Sequence, residues 1–247
     1  ATAASALVQA ISYENTDLTS PSTGNRAVRF VLTDGDGGTS ANYDTTVAVS
    51  SINDAPVASG IEGATLSYAE NAGAVTVTSS ITFTDVDDTN IESAVVQITG
   101  GYNSGEDVLS FTNQLGITGV YNATTGTWNL TGSASLADYE TAIRCITYSN
   151  PSENPDTTTR TVSFTVNDGD ANSNTLTRDI TIPAVNDDPT NAGGLPSDVS
   201  VTEDLLSSVY LYDVDFSDVD AAGSNLTVTL STAPGGELTI ASGTGHT

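Results

Sequence analysis

The chain contains no methionine and no lysine, and basic residues of any kind are scarce. Its 247 residues carry 5 basic side chains against 31 acidic ones, which gives a formal charge of −26 at pH 7. A surface this acidic repels the phosphates of nucleic acids and anionic lipids, so neither is an expected partner. Two explanations of the charge stay open: a solvated surface adapted to salt, or cation binding at particular clusters.

The scarcity of cysteine, histidine and long apolar runs excludes further classes of protein. Cys145 is the only cysteine, so no disulfide forms within the chain, and its apolar neighbours predict a small buried core residue. His246 is the only histidine, which excludes a typical zinc site and leaves a Ser-His-Asp triad little footing. We therefore expect no enzymatic activity. No run of about 18 apolar residues predicts a membrane span. Without a visible signal peptide or starting methionine, we expect an excerpt or processed segment of a longer protein.

A long internal repeat is the most informative feature that is present. Residues 52–56 (INDAP) return as 185–189 (VNDDP), and residues 83–87 (FTDVD) return as 216–220 (FSDVD), both 133 positions later. A repeat of this length is a whole domain, so the sequence predicts a tandem array.

Short stretches of alternating apolar and polar residues predict β-strands. They are rich in β-branched residues, are spaced about ten residues apart and indicate a β-sandwich. Examples are residues 75–78, 94–98, 161–166 and 226–230. Asp34-Gly35 and Asp168-Gly169 are hairpin-turn dipeptides, and Thr125-Gly126 predicts a further hairpin.

One segment in each repeat has helical spacing. Residues 135–143 open with a serine cap and carry apolar residues with a period near 3.6, and residues 3–11 are their counterpart. Each segment runs into a predicted strand, at 146–148 and 11–13. We expect one short helix per repeat.

The repeat defines three predicted domains. Residues 1–55 are the C-terminal part of one repeat, 56–188 are a complete repeat, and 189–247 are the N-terminal part of the next. The two partial repeats together lack the equivalent of about 115–135. Because half a sandwich exposes strand edges, either its neighbours were cut off or the tail of one chain completes the head of the next. The second alternative predicts head-to-tail fibres.

Several motifs resemble those of cadherin-like repeats in giant bacterial surface adhesins. Ala69-Glu70-Asn71 resembles the Glu-Asn of the first strand, with 202–204 (TED) as a partial counterpart, and the two Asp-Val-Asp motifs resemble the Asp-x-Asp loop. Residues 136–140 (LADYE) resemble the Leu-Asp-Arg-Glu motif, with one inserted residue and tyrosine in place of arginine. Residues 185–189 resemble the linker. The resemblance covers essentially the whole chain and implies an all-β fold of tandem Ig-like, Greek-key β-sandwiches.

The expected topology gathers acidic and amide side chains at the junctions between repeats. Carboxylate and amide oxygens are the ligands that calcium prefers, and it takes six to eight of them, so we expect Ca²⁺ there. The alternative is ordinary Asx turns, which explain Asp168 and Asp170 nearly as well. The first junction is expected to contain Asn53, Asp54, Asp85, Asp87, Asp88, Asp168 and Asp170. The second is expected to contain Asn186, Asp187, Asp188, Asp218 and Asp220, joined from the far end of the central repeat by Glu70, Glu140 and Asp138.

The resulting functional hypothesis is a structural one. We expect a calcium-rigidified extender or fibre segment of a bacterial surface adhesin, extracellular and involved in cell adhesion, whose partners are neighbouring repeats or other copies of the chain. One alternative is a glycan- or protein-binding module that uses Tyr102, Tyr121 and Trp128, although packing within the sandwich is the more common role of such aromatics. The other is an accessory segment of a large secreted hydrolase.

Overall fold

The computed structural model describes residues 2–17, 19–194, 200, 202, 205, 214–221, 224–232 and 234. They fall into two compact units, Ala1–Pro183 and Ala184–Thr247. Strands make up 37% of the chain and helices 7%, so the fold is all-β as predicted. No helix among the described residues has the length and apolar character needed to cross a membrane.

The first unit contains two helices and thirteen strands among its described residues. In chain order these are α1 (Thr2–Gln9), β1 (Gly24–Phe30), β2 (Tyr43–Val49), β3 (Val57–Ser59), β4 (Leu66–Ser67), β5 (Val75–Thr76), β6 (Thr82–Thr84), β7 (Asn90–Gly100), β8 (Val108–Ser110), β9 (Thr118–Asn122), β10 (Thr127–Ser135), α2 (Leu136–Arg144), β11 (Thr147–Ser149), β12 (Arg160–Asn167) and β13 (Leu176–Thr181).

Two layers of the first unit share one hydrophobic core. One layer is a six-stranded sheet in the order β4-β13-β12-β7-β10-β9, and the other comprises the sheet β5-β11-β8, the pair β3-β6 and helix α2. Strand β12 alternates buried and half-buried residues along its whole length. Val162 and Phe164 of β12 point inward and meet Leu109 and Tyr148 in the same core cluster. The alternation predicted from the sequence therefore marks the inner face of the sheet.

Helix α2 forms where its spacing predicts it. Ser135 caps it and accepts a hydrogen bond from the N–H of Asp138 at 3.1 Å. Tyr139, Ala142 and Ile143 form its buried face. Cys145 occupies the C-cap and is exposed, so the prediction that it is buried is wrong. The helix ends there, and the chain turns the side chain to solvent before Ile146 returns to the core.

A buried ion pair lies in this core. The side chains of Arg160 and Asp107 have no exposed surface, and the Arg160 Nε donates to Asp107 Oδ2 at 2.9 Å. Asp107 also accepts from the Tyr148 hydroxyl at 2.6 Å and from the N–H of Asn103 at 2.7 Å. The Arg160 Nη1 donates to the carbonyl of Asp156 at 2.7 Å. Both charges are thus compensated, which a buried charge requires.

The N-terminal segment forms the predicted helix α1 and a β1-β2 hairpin. The Asp34-Gly35 turn lies between the two strands, as expected. Residues 11–13, however, form no strand, in contrast to the prediction. Their counterpart β11 lies between β5 and β8, whereas residues 11–13 pair with no described strand.

The second unit has one short strand pair among its described residues. Strand β14 (Thr190–Asn191) pairs with β15 (Phe216–Ser217) in the register Thr190↔Ser217 and Asn191↔Phe216. The same register occurs 133 positions earlier, where Val57 pairs with Thr84 and Ala58 with Phe83. Residues 226–230 are not a strand, so that prediction is wrong. Among the described residues they have no paired neighbour, and an unpaired strand leaves its backbone groups without ladder hydrogen bonds.

Candidate cation-binding junctions

Asn53 and Asp54 of the linker bond to two loops of the sandwich that follows. The Asn53 Nδ2 donates to Asp168 Oδ2 at 2.9 Å and to the carbonyl of Asp54 at 3.0 Å. The main-chain N–H of Asp54 donates to both carboxylate oxygens of Asp87 at 3.3 Å. Asp87 follows β6 and Asp168 follows β12. The expectation that the linker, the loop after β6 and the last hairpin turn meet at one end is confirmed.

Each of the two loops contains an Asx turn. Asp85 Oδ1 accepts from the N–H groups two and three residues on, at 3.1 and 2.9 Å. Asp168 Oδ1 accepts from the N–H of Asp170 at 2.8 Å and of Ala171 at 2.7 Å. The turn explanation is therefore correct for one oxygen of each side chain. The other oxygen of Asp85, Oδ2, is buried and accepts no hydrogen bond from the described residues.

The pKa values of the carboxylates at this junction are shifted in opposite directions. Removal from water raises the pKa of Asp87, and the neighbouring Asp85 raises it further against the hydrogen bond from Asp54. Burial also raises the pKa of Asp88, reinforced by the negative charges around it. Burial tends to raise the pKa of Asp168 as well, but hydrogen bonds from Ala171 and Asn53 outweigh it and lower the value. The loop after β6 therefore holds carboxylates that repel one another.

Glu92 belongs to this cluster, although it lies outside the motifs that predict the junction. A Cβ at Gly169 would lie 3.5 Å from the Glu92 Cγ, and the charge of Glu92 contributes to the raised pKa of Asp88. Its Oε1 accepts from the Ser133 hydroxyl at 3.0 Å, while its Oε2 is buried and accepts no hydrogen bond from the described residues. Its position at the start of β7, directly after the acidic loop, is the signal that identifies it.

The second junction repeats the hydrogen bonds of the first. The Asn186 Nδ2 donates to the carbonyl of Asp187 at 2.8 Å, and the N–H of Asp187 donates to Asp220 Oδ2 at 3.0 Å. The N–H of Asp220 donates to Asp218 Oδ1 at 3.2 Å. Each of these contacts has its equivalent 133 positions earlier. Asp187 Oδ2 is buried and accepts no hydrogen bond from the described residues, and the contact between Asp218 and Asp220 raises the pKa of Asp218.

The remaining predicted ligands are less closely associated with the junctions. Asp170 and Asp188 are exposed. Glu70 follows β4, which pairs with the last residues of β13, so it lies at the end of the sandwich opposite Asp168, as expected. Asp138 is engaged at the N-terminus of α2, where its Oδ2 accepts from the Ser135 hydroxyl at 2.7 Å.

Glu140 does not lie at the end of the sandwich where it was expected. Its Oε1 accepts from the N–H of Phe83 at 2.9 Å, and its Oε2 forms an ion pair with Arg144 at 3.2 Å. Strand β10 runs back towards the acidic loop, with Ser135 opposite Asn90, before α2 begins. Glu140 is thereby placed beside β6, near the first junction, where it holds α2 against that strand.

The donor chemistry of the junctions fits a hard divalent cation. The available ligands are carboxylate, amide and main-chain oxygens, and each junction contains a buried carboxylate oxygen that accepts no hydrogen bond from the described residues. Within the part of the chain that the structure describes, no three histidine, cysteine, aspartate or glutamate side chains form a group that could hold a metal. The residues that could supply oxygen ligands at the junctions instead lie in hydrogen-bonded pairs.

The aromatic residues considered for glycan binding pack within the sandwich. Trp128 lies against Phe111 and Tyr121, with ring centroids 5.7 and 5.2 Å away, and its Nε1 donates to the carbonyl of Leu109 at 2.9 Å. Tyr102 packs over Gly126 and against the same core.

No protein-family model matches the chain. The chain is similar to halomucin of Haloquadratum walsbyi, with 36% identity over 86 residues, which is 33% of this chain and 1% of halomucin. The chain therefore spans about 1% of the length of the curated relative it matches. This weak similarity and the β-rich structure fit a repeat segment of a very large surface protein.

Proposed function

We propose that this chain is a structural extender segment of a very large surface or secreted protein, and that divalent cations stiffen its repeat junctions. Calcium is the proposed cation because the junctions supply hard oxygen donors. The proposed role is mechanical and non-enzymatic: the segment separates an adhesive module from the surface, or forms the shaft of a fibre. Cadherin-like repeats of about 133 residues are part of the proposal.

One observation carries the proposal. The contacts that link Asn53, Asp54, Asp85 and Asp87 recur at residues 133 positions later. Ordinary Asx turns explain the bonds within each loop, but they do not explain why the N–H of the equivalent linker residue, Asp54 or Asp187, bonds to the equivalent loop aspartate at both junctions. A repeated linkage between linker and sandwich supports a role in fixing the geometry of an array.

Electrostatics gives the cation its effect. The carboxylates of Asp85, Asp87 and Asp88 repel one another, and this repulsion weakens the loop that receives the linker. A bound divalent ion would reverse the sign of that interaction and draw Asn53, Asp54 and the loop together. An ion that binds the folded state alone stabilises it, so the same ion would raise the resistance to unfolding.

The similarity to halomucin, a large surface protein, supports the proposed surface or secreted location. Because halomucin comes from a haloarchaeon, this similarity gives no support to a bacterial source. The rival proposals are a glycan- or protein-binding module and an accessory segment of a secreted hydrolase. The packing of Trp128 against Phe111 and Tyr121 favours the structural role over the glycan-binding one.

Thermal unfolding with calcium and with a chelator tests the proposal. Trp128 is the only tryptophan and lies in β10, so its fluorescence reports on the sandwich beside the first junction. An ion present at 100 times its Kd adds about 2.7 kcal/mol to the free energy of unfolding. For a sandwich of this size we therefore expect a midpoint about 8–10 °C higher in calcium than in chelator. The double variant Asp85→Asn/Asp87→Asn should lose most of that difference.

Two controls separate specific binding from screening of the acidic surface. The variant Asp44→Asn/Asp179→Asn changes the charge by the same amount on exposed strand positions and should keep the full calcium response. Sodium chloride at the same ionic strength as the calcium salt should not reproduce the shift. Equal midpoints in calcium and chelator, or equal responses of the two double variants, would remove the cation from the proposal.

A further inference from the structure

The turn between β12 and β13 carries an asparagine whose side chain pairs with the main chain of β3. Asn174 Oδ1 accepts from the N–H of Ala58 at 2.8 Å, and Asn174 Nδ2 donates to the carbonyl of Ala58 at 3.0 Å. The two residues are 116 positions apart, and Ala58 is the middle residue of β3. One carboxamide thus bonds to both main-chain groups of a strand residue, as the backbone of a neighbouring strand would.

Strand β3 depends on this side chain because it has one paired strand among the described residues. It pairs with β6 in the register Val57↔Thr84, Ala58↔Phe83 and Ser59↔Thr82. Ala58 is 4% exposed, so its main-chain groups have little access to water. Buried main-chain groups without a hydrogen-bond partner cost free energy. The carboxamide of the turn therefore takes the place of a second strand beside Ala58.

Ser173 fixes the position of Asn174 in the turn. The Ser173 hydroxyl donates to the carbonyl of Asn174 at 2.8 Å and accepts from the N–H of Val166 at 3.1 Å. The N–H of Ser173 donates to the carbonyl of Val166 at 2.8 Å, and Ser173 is 8% exposed. The turn is thus bonded to β12, a strand inside the six-stranded sheet. A displacement of Asn174 therefore acts directly on that sheet.

The chain that enters the sandwich is held from both layers. From one layer, Asp87 in the loop after β6 accepts from the N–H of Asp54, and β6 pairs with β3. From the other layer, the β12-β13 turn contacts the linker through Asp168 and contacts β3 through Asn174. The linker and β3 are therefore tied to the six-stranded sheet as well as to the smaller layer.

A pull on the two linkers of this repeat acts along its strands. The β12-β13 turn lies at the end where the linker enters, and β13 runs from this turn to the opposite end, where it lies beside β4. Hydrogen bonds between strands are perpendicular to the strands, so tension along β3 strains several of them together. The two bonds from Asn174 share this tension, because they occupy the position of bonds to a second strand.

We propose that the carboxamide of Asn174 is a mechanical clasp, which transmits tension from the linker and β3 into the six-stranded sheet. That tension acts on the chain rests on the proposed mechanical role, whereas the clasp itself is tested without it. Asn174 is a positioning residue in this proposal. An ordinary stabilising contact acts in the same way wherever force enters the fold, but a clasp resists only tension that passes through it. Forced unfolding depends on the rate of unfolding, so this resistance is measured as a lifetime under force.

Single-molecule force spectroscopy of the full chain tests the clasp. In a Cys145→Ser background, handles on Ser51→Cys and Ala184→Cys apply tension through the linker; both positions are exposed. In a second geometry Thr89→Cys replaces Ser51→Cys. Thr89 is exposed and directly precedes β7, so tension then enters the six-stranded sheet without passing through β3. Chelator is present throughout, so the proposed cation does not contribute.

Asn174→Leu removes both hydrogen bonds while keeping a side chain of similar size. Between positions 51 and 184, the lifetime at constant force should fall about tenfold, as expected for the loss of two hydrogen bonds that resist the pull. Between positions 89 and 184 it should change by less than about twofold, because the clasp stays closed when tension bypasses it. This second lifetime also shows that the variant is folded.

Asn172→Leu is the matched control from the same turn. Asn172 Oδ1 accepts from Asn167 Nδ2 at 2.8 Å, a bond that stays within the turn, so this variant should keep the wild-type lifetime in both geometries. Equal shortening by Asn174→Leu in both geometries, no shortening between 51 and 184, or an equal effect of Asn172→Leu overturns the proposal. None of these outcomes changes the calcium response of the melting midpoint, and loss of that response leaves the clasp intact, so failures of the two proposals are distinguishable.

Discussion

The same sequence motif has opposite environments in two regions of the first unit. Residues 160–164 (RTVSF) lie in the middle of the six-stranded sheet, and Arg160 has no exposed surface. Residues 26–30 (RAVRF) lie in the β1-β2 hairpin, where Arg26 donates to the Ser22 hydroxyl at 2.9 Å and to the carbonyl of Gly24 at 3.5 Å. The local sequence of this motif therefore does not determine whether its arginine is buried.

The difference is due to the elements around the motif. Arg160 meets Asp107, which precedes β8, and this layer also provides Tyr148 from β11. The hairpin has no such layer among the described residues, and its burial pattern is correspondingly weak along β1. The hairpin thus carries the inner face of a sandwich without the layer of side chains that would make that face a core.

The largest expected difference in the free energy of unfolding is between Arg160→Met and Arg26→Met. Removing Arg160 leaves the buried carboxylate of Asp107 without its compensating charge, which costs about 3–5 kcal/mol. Arg26→Met removes only exposed hydrogen bonds and should change the free energy of unfolding by less than about 0.5 kcal/mol. Urea unfolding followed by Trp128 fluorescence measures both. Equal losses in the two variants would show that the hairpin is as deeply packed as the sandwich.

A smaller difference in the free energy of unfolding is expected between Tyr148→Phe and Tyr13→Phe. The Tyr148 hydroxyl donates to Asp107 at 2.6 Å, and burial raises the pKa of this tyrosine. Removing the hydroxyl leaves Asp107 with one donor fewer and should cost about 1–3 kcal/mol. Tyr13, its counterpart in the sequence Ile-x-Tyr, is 46% exposed. Tyr13→Phe should therefore leave the free energy of unfolding nearly unchanged.

The same urea titration provides the control for the tyrosine pair. The double variant Tyr148→Phe/Asp107→Asn should lose less than the sum of its two single variants, because both changes remove one shared hydrogen bond. Strict additivity would contradict the direct role of this bond in the core.

The sequence predicts local structure well where the pattern is long. Helix α2 and the alternating strands β7 and β12 follow from spacing alone, and the Asn53–Asp168 contact follows from the order of strands and turns. Residues 226–230 have an equally clear alternation, yet they form no strand. A strand depends on a neighbour for its hydrogen bonds, and alternation does not reveal whether that neighbour is present.

The buried polar groups could not be predicted from spacing. Nothing local distinguishes Asp107 from the other acidic residues, because its partner Arg160 is 53 positions away, on strand β12 of the six-stranded sheet. The position of Glu140 could not be predicted for a related reason: it depends on where β10 ends, and the register of the β10-β7 pairing shifts between Thr131 and Ala134. Long-range pairing of charges is thus the part of the fold that the sequence pattern leaves open.

The smallest expected difference concerns the two Asp-Gly turns and how each affects the pH dependence of the melting midpoint. Hydrogen bonds lower the pKa of Asp168 below its unfolded value of about 3.9. A lowered folded pKa means that the contribution to stability is complete above that unfolded value and is lost as the pH falls through the folded pKa. In chelator, the Trp128 melting midpoint of the wild type should therefore decline as the pH falls from about 5 to about 2.

The matched variants are Asp168→Asn and Asp34→Asn. An amide at 168 still accepts the turn hydrogen bonds, but it places an NH₂ group against the Nδ2 of Asn53 and breaks the contact with the linker. Asp168→Asn should thus have a lower midpoint at pH 6 and a flatter decline, so that its curve meets the wild-type curve at low pH. Asp34 also has a lowered pKa, caused first by its contact with Asp36. Its turn lies in the β1-β2 hairpin, however, whereas Trp128 reports on the sandwich. The melting curve of Asp34→Asn should therefore follow that of the wild type. Parallel curves for Asp168→Asn and the wild type would mean that the linker contact contributes nothing to the stability of the sandwich, and the difference between the two turns would then be one of exposure alone.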